Sequence, residues 1–211
     1  MDFARPFTVI TTSVDGDVLC ALALADAWFT PGRLHRTIAR HSEDGVRRTL
    51  RRLSEQGIVL TQHAGSATLY RLNRHHLAAE AIDELARLRS KLVLRLSTLL
   101  RDWTVPPVLG VLFGSAAHKT MTLASDIDIF LVRPEGLESD RYVWTTAVMA
   151  LEAEVSGWTG NDARVLEMEE SHLREHATAE PVLMDVVDGG IPLIGDLHWL
   201  AQLVTRARFD A

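Results

Sequence analysis

The chain of 211 residues has a single cysteine, Cys20, which excludes an internal disulfide framework and any cysteine-rich zinc site. Long apolar runs are missing as well: none reaches the ~18 residues that a membrane helix needs, so no membrane partner is expected. The opening residues Met1-Asp2-Phe3-Ala4-Arg5 lack the apolar stretch of a signal peptide, and a cytoplasmic location is the expectation. The nine histidines form no metal-like cluster: His75 and His76 are adjacent, and His172 and His176, at i and i+4, have no obvious third ligand. What is present is an ordinary balance of 47% hydrophobic and 24% charged residues, which excludes a wholly disordered chain. The length allows one large domain or two small ones.

Acidic residues outnumber basic ones, 28 to 22, for a net charge of −6. Taken as a total, this argues against nucleic acid as a partner. The distribution argues otherwise. Residues 1–100 carry 14 Lys and Arg against 10 Asp and Glu, a net of +4, and the remainder a net of −10. Between Thr30 and His75, nine arginines face only Glu43, Asp44 and Glu55. A basic segment joined to an acidic one predicts two domains with different partners.

In the basic half, Asp15 to Phe29 reads as a helix on the spacing of Val18, Leu19, Leu22 and Ala25. Thr30-Pro31-Gly32 then stops it and starts a short helix to about Arg40. Ser42 caps a third helix, whose Glu43 and Asp44 sit where the helix dipole favours carboxylates. Val46, Leu50 and Leu53 form its apolar stripe, and at ~100° per residue Arg47, Arg48, Arg51 and Arg52 share the opposite side. Gly57 ends the helix. Strands at Ile58–Leu60 and Thr68–Leu72 flank a loop over His63–Ala67.

Three helices followed by a hairpin are the order of a winged helix-turn-helix. The run from Ser42 to Arg71 resembles the recognition helix and wing of winged bacterial transcription regulators. That resemblance implies double-stranded DNA as a partner, with the helix in the major groove. It assigns Ser42, Arg47, Arg48 and Arg51 to DNA, with Arg36, Gly65, Ser66 and Arg71 in supporting positions.

Ala81, Leu85, Leu88, Leu92, Leu96 and Leu99 recur at helical spacing, predicting one long helix over about His76–Trp103. Its seam can pack back on either domain or pair with a second copy; a homodimer is the expectation, since DNA readers commonly bind paired half-sites. Pro106-Pro107 marks the boundary. The expected organisation is a winged domain over 1–75, a connecting or dimerisation helix over 76–104, and a third region over 105–211.

In that region a buried strand, Val108–Phe113, delivers Gly114-Ser115. Ten residues after Ser115 comes Ser125-Asp126-Ile127-Asp128-Ile129-Phe130-Leu131-Val132. Carboxylates at i and i+2 of a strand point to one face. Magnesium takes oxygen ligands, often one or two carboxylates plus substrate phosphates, and paired carboxylates can position two ions around a phosphoryl group. The Gly-Ser turn leads into a short helix whose backbone N–H groups suit phosphate oxygens.

The run G-S-A-A-H-K-T-M-T-L-A-S-D-I-D-I resembles the signature of the DNA-polymerase-β-like nucleotidyltransferases, in particular their minimal branch. Gly114, Ser115, Ala117, Ser125, Asp126 and Asp128 match; His118 stands where Arg is usual and Lys119 where Gly is usual. Gly189–Gly195 is similar to the closing segment of that branch. The resemblance implies Asp126 and Asp128 as magnesium ligands, and Gly114, Ser115, Lys119 and Ser125 at the nucleotide. It also implies a third carboxylate from a neighbouring strand, for which Ala163–Met168 offers Glu167, with Glu169 on the same face.

The expected fold is therefore mixed, α+β, with a winged helix-turn-helix and a nucleotidyltransferase-like sheet flanked by helices. The expected function is a DNA-binding transcriptional regulator whose magnesium-dependent domain binds a nucleoside triphosphate (NTP) and transfers a nucleotide to a hydroxyl of a protein, RNA or small molecule. Two alternatives stand beside it: a catalytically inert nucleotide sensor, in which Lys119 crowds the loop, and the antitoxin of a toxin–antitoxin pair.

Overall fold

A computed structural model describes residues 1–118, 120–137, 141–177 and 180–206. The fold is mixed α and β, in two compact units: residues 4–88 with Asp2, and residues 89–211 with Met1 and Phe3.

The first unit begins with a 3-10 turn at Pro6–Val9, followed by α1 (Val14–Leu24), α2 (Pro31–Ile38) and α3 (Glu43–Glu55). The caps form as the sequence predicts. Thr30 accepts from the Arg33 N–H at 3.2 Å with Pro31 in the first turn, and Ser42 accepts from the Gly45 N–H at 3.1 Å. α1 is shorter than predicted. It stops at Leu24 because Phe29 is drawn into backbone pairing with Tyr70, each N–H donating to the other's carbonyl at 2.8 Å.

β1 (Val59–Ala64) and β2 (Ala67–Leu72) pair antiparallel with Ala64 opposite Ala67, so the predicted five-residue loop closes to the two-residue turn Gly65-Ser66. Gly65 has φ +61°, a conformation that L side chains rarely adopt. Val18, Leu22, Leu34, Val46, Leu50 and Leu72 bury together beneath the helices and hairpin.

The long helix expected over 76–103 is divided. α4 (Ala79–Ala86) ends at Arg87, with φ −104° and ψ 17°, and α5 (Leu88–Arg101) begins at the next residue. Each half buries a face in its own unit. Ile82 and Ala86 join the first core, while Leu92, Leu96 and Leu100 are buried in α5. The leucines at Leu92 and Leu96 are thus spent on packing within one chain instead of forming a seam open to a second copy.

The second unit is built on a four-stranded sheet of order β5-β4-β3-β6, from β3 (Leu109–Phe113), β4 (Ile127–Arg133), β5 (Ala163–Glu169) and β6 (Ile191–Ile194). Only β4 and β5 run parallel, because α7 (Arg141–Thr159) supplies the crossover that a parallel pair needs. β4 is nearly continuous apolar sequence, as befits a strand covered on both faces.

On one face Phe113, Phe130, Val132 and Val111 pack with α8 (Glu170–His176), α9 (Val182–Gly189) and α10 (Leu197–Arg206). The opposite face receives α5 and α7. A Cβ on Gly110, whose partner is Leu131, would meet the Leu100 side chain at 3.0 Å, so glycine permits that close approach. No helix among the described residues is long and apolar enough to cross a membrane.

Leu50→Ala is expected to destabilise the first unit by about 2–5 kcal/mol, because its fully buried side chain leaves a cavity among tightly packed neighbours. Urea denaturation followed by circular dichroism checks it; a loss below about 1 kcal/mol contradicts this packing.

Candidate functional site

Strand alternation decides which carboxylates can meet. Asp128 lies in β4 opposite Phe113, the last residue of β3, and Asp126 immediately precedes β4. In the parallel pairing Asp128 is level with Arg164 and Leu131 with Glu167. Residues level with one another across neighbouring strands share a face. The Asp128 face of β5 therefore presents Arg164, Leu166 and Met168.

Asp126 and Asp128 are brought together beside the turn into α6 (Gly114–His118). Gly114 has φ +63°, and a Cβ there would stand 2.6 Å from an Asp128 carboxylate oxygen. Glycine at this position thus lets the turn close over the carboxylate. The segment before β4 is fixed from two sides. The Ser125 hydroxyl accepts from the Thr122 N–H at 3.0 Å, and the nearly buried Asn161 donates to the Ser125 carbonyl at 2.8 Å. Ser125, expected at the nucleotide, has its hydroxyl engaged in holding this turn. Ser115 is half-buried in the first turn of α6, and Lys119 lies outside the described residues.

Burial raises the Asp128 pKa, and the charges of Asp126 and Asp185 raise it further against the lowering effect of Arg164. Arg164 pairs with Asp126 at 3.0 Å. Asp185, from α9, is held by the His118 imidazole at 3.3 Å. His118 occupies room left by Gly189, where a Cβ would overlap the ring at 1.9 Å.

Glu167 does not join this group. It sits on the α5–α7 face, where the Trp144 indole N–H donates to its carboxylate at 2.5 Å. The reason is parity: an odd offset from Asp128's partner Arg164 turns Glu167 to the other side of the sheet. Glu169 shares that side and pairs with Arg133 at 2.7 Å. Neither completes a metal centre with Asp126 and Asp128, and among the described residues no three His, Cys, Asp or Glu side chains are grouped to hold a metal. Arg164, Asn161 and Asp185 are the residues that sequence reasoning missed. Strand register exposes the first, whereas Gly160-Asn161-Asp162 carried a turn signal that hinted at the second.

In the first unit, Arg48 and Arg51 are exposed on α3 and make no ion pair with any described residue. Arg47 pairs with Glu43 at 2.8 Å, and Arg52 with Asp15 at 2.5 Å. Arg36, on α2, is exposed. Gly65 and Ser66 form the tip of the hairpin, and Arg71 stacks over Trp28 at 4.8 Å. Ahead of Ser42, His41 and Arg5 both bond to Asp17 of α1, at 2.6 Å and 2.8 Å. Burial pushes the Asp17 pKa up, but the hydrogen bonds from Arg5 and His41 outweigh it and hold the carboxyl below its ordinary value. This knot ties the turn between α2 and α3 to the N-terminal segment. Cys20 is a packing residue: burial, with the Asp17 charge, pushes its thiol up to about 11.

No protein-family model matches this sequence, and no curated protein matches it. Among solved structures, a toxin–antitoxin complex with AMP-PNP is similar at 23% identity over 58% of this chain and 85% of that one, with a TM-score of 0.39. A variant of the MntA–HpeT toxin–antitoxin gives 20% identity, the same coverages and a TM-score of 0.39. TrmBL2, an archaeal chromatin protein, gives 19% identity over 82% of this chain and 70% of that one, at 0.27. Likeness of this extent leaves the functional reading on the site's own residues.

A carboxyl with a raised folded pKa binds its proton more tightly in the folded chain, so its contribution lowers stability as pH rises through the carboxylate range. Asp128→Asn is therefore expected to match the wild type at a pH below that range and to be the more stable at neutral pH. Thermal melts of both proteins across pH check this; a pH-independent difference contradicts it.

Proposed function

We propose that this chain is a DNA-binding regulator whose C-terminal unit takes a magnesium-bound nucleoside triphosphate as ligand. The observation that carries the nucleotide half is the pair Asp126 and Asp128 held against the Gly114 turn, where a Cβ would stand 2.6 Å from an Asp128 carboxylate oxygen; burial first, and the Asp126 charge after it, raise the Asp128 pKa there. Two crowded carboxylates with oxygen donors only suit a hard divalent cation. Magnesium bound there would supply positive charge shared between the carboxylates and the phosphate oxygens, and Asp126 and Asp128 would hold it.

This donor set suits one ion. A second ion asks for a further carboxylate, and the same face of β5 presents a guanidinium and two apolar side chains. That favours ligand binding over turnover, so the nucleotide acts as a signal read by the protein. Gly114 and Ser115 border the carboxylates and are the backbone positions proposed for the phosphates.

The DNA half rests on the exposed cations of α3. Arg48 and Arg51 are free to meet phosphates, the Ser42 cap fixes the start of the helix, and the Gly65-Ser66 tip gives the hairpin its reach. Arg47 would exchange its Glu43 partner for phosphate. Arg36 and Arg71 are flanking contacts in this reading. A homodimer would present two such helices to paired half-sites.

Titration calorimetry with magnesium and each NTP tests the ligand. Wild-type protein is expected to bind, Asp128→Asn to lose at least about 100-fold in affinity, the scale of a removed ion contact, and Glu167→Gln to bind as the wild type. Equal loss in both variants would contradict the assignment of faces. Incubation with labelled NTPs and a genuine acceptor addresses turnover: transfer above an Asp126→Asn/Asp128→Asn control would sink the ligand-only reading.

DNA binding is expected to fall steeply with salt, and Arg48→Ala or Arg51→Ala to reduce the log–log slope by about 1 each. Fluorescence anisotropy with duplex DNA measures it. Negligible binding even at low salt refutes the DNA half.

A further inference from the structure

Arg164 stands where a nucleotide site with paired carboxylates has reason to carry an acid, and its placement gives it a use of its own. It is level with Asp128 in the parallel β4–β5 pairing, on the same face, and its guanidinium meets Asp126 at 3.0 Å. The side chain is 70% exposed against 27% for Asp126. An ion pair so open to water is weak and readily exchanged. The next residues on that face of β5, Leu166 and Met168, bring no charge that could hold Arg164 elsewhere.

We infer that Arg164 is an exchangeable counter-ion of the carboxylate site, holding Asp126 while the site is empty and passing to the phosphate oxygens of an arriving metal–nucleotide. The inference rests on the proposed nucleotide site and says how that site selects its ligand. A bare divalent ion has to displace the guanidinium from Asp126 and gives it nothing in return. A metal–triphosphate displaces it and offers phosphate oxygens, which suit the planar fork of arginine better than a lone carboxylate does. Metal and nucleotide therefore bind with positive coupling, each raising the affinity for the other. His118 and Asp185 complete the surroundings, paired with each other at 3.3 Å.

The test uses the full chain and two titrations by calorimetry: manganese alone, and a non-hydrolysable ATP analogue with magnesium. Arg164→Ala is expected to bind manganese alone about tenfold more tightly and the metal–nucleotide about tenfold more weakly, the scale of one charge-assisted hydrogen bond. These opposite shifts are the signature, because a purely structural role moves both affinities the same way. Arg164→Lys, which keeps the charge without the fork, is expected to restore the weak binding of manganese and part of the nucleotide affinity. If the wild type binds nucleotide through Asp128 while Arg164→Ala leaves either affinity unchanged, or shifts both in one direction, the counter-ion role is overturned and the nucleotide site stands. If the wild type shows no Asp128-dependent nucleotide binding at all, both fall.

Discussion

The alternation of side chains along β4 is the constraint on which the second unit depends. One strand, hydrogen-bonded on both edges, sends Ile127, Ile129 and Leu131 to the face covered by α5 and α7. It sends Asp128, Phe130 and Val132 to the face covered by α8, α9 and α10. The same register that closes both cores sets Asp128 at the sheet's end, beside the Gly114 turn. A slip by one residue would bury the carboxylate against α7 and expose an isoleucine, so the hydrophobic packing of the sheet enforces the geometry of the site.

Electrostatics then assigns roles around that carboxylate. Asp126 and Asp185 oppose its charge, Arg164 relieves it, and burial makes each of these effects larger than it would be in water. The result is a cluster of three carboxylates in which Arg164 pairs with Asp126 and His118 with Asp185. The first unit has the reverse imbalance: α3 turns Arg48 and Arg51 to solvent, with Asp15, Glu43 and Asp17 neutralising other basic groups. A net charge of −6 thus conceals an anionic centre and a cationic helix.

Much of this was legible in the sequence because it is local. The Ser42 and Thr30 caps, the apolar stripe of α3 and the Gly65 turn depend on residues a few positions apart, and the structure has each of them. So too with β3, the Gly114 turn and the Asp126–Asp128 pair, whose spacing alone sets their common side. The ends of α1 and the division between α4 and α5 were not legible. α1 stops early because Phe29 pairs with Tyr70, 41 positions away along the chain. The helical pattern over 76–103 is continuous, yet its two halves answer to two different cores.

Glu167 marks the same limit at the level of chemistry. The resemblance implied a carboxylate from a neighbouring strand, and Glu167 does lie on β5. Whether it faces Asp128 depends on the register between β4 and β5, and that is set by how α7 spans the crossover and by which side chains fill the two layers. The sequence by itself determined the units of local structure and the residues that carry charge, since caps, turns and periodicity act over a few residues. Only the tertiary structure decided which charges share a face, because pairing between distant strands fixes parity. That parity put Arg164 beside the two aspartates and Glu167 behind the sheet.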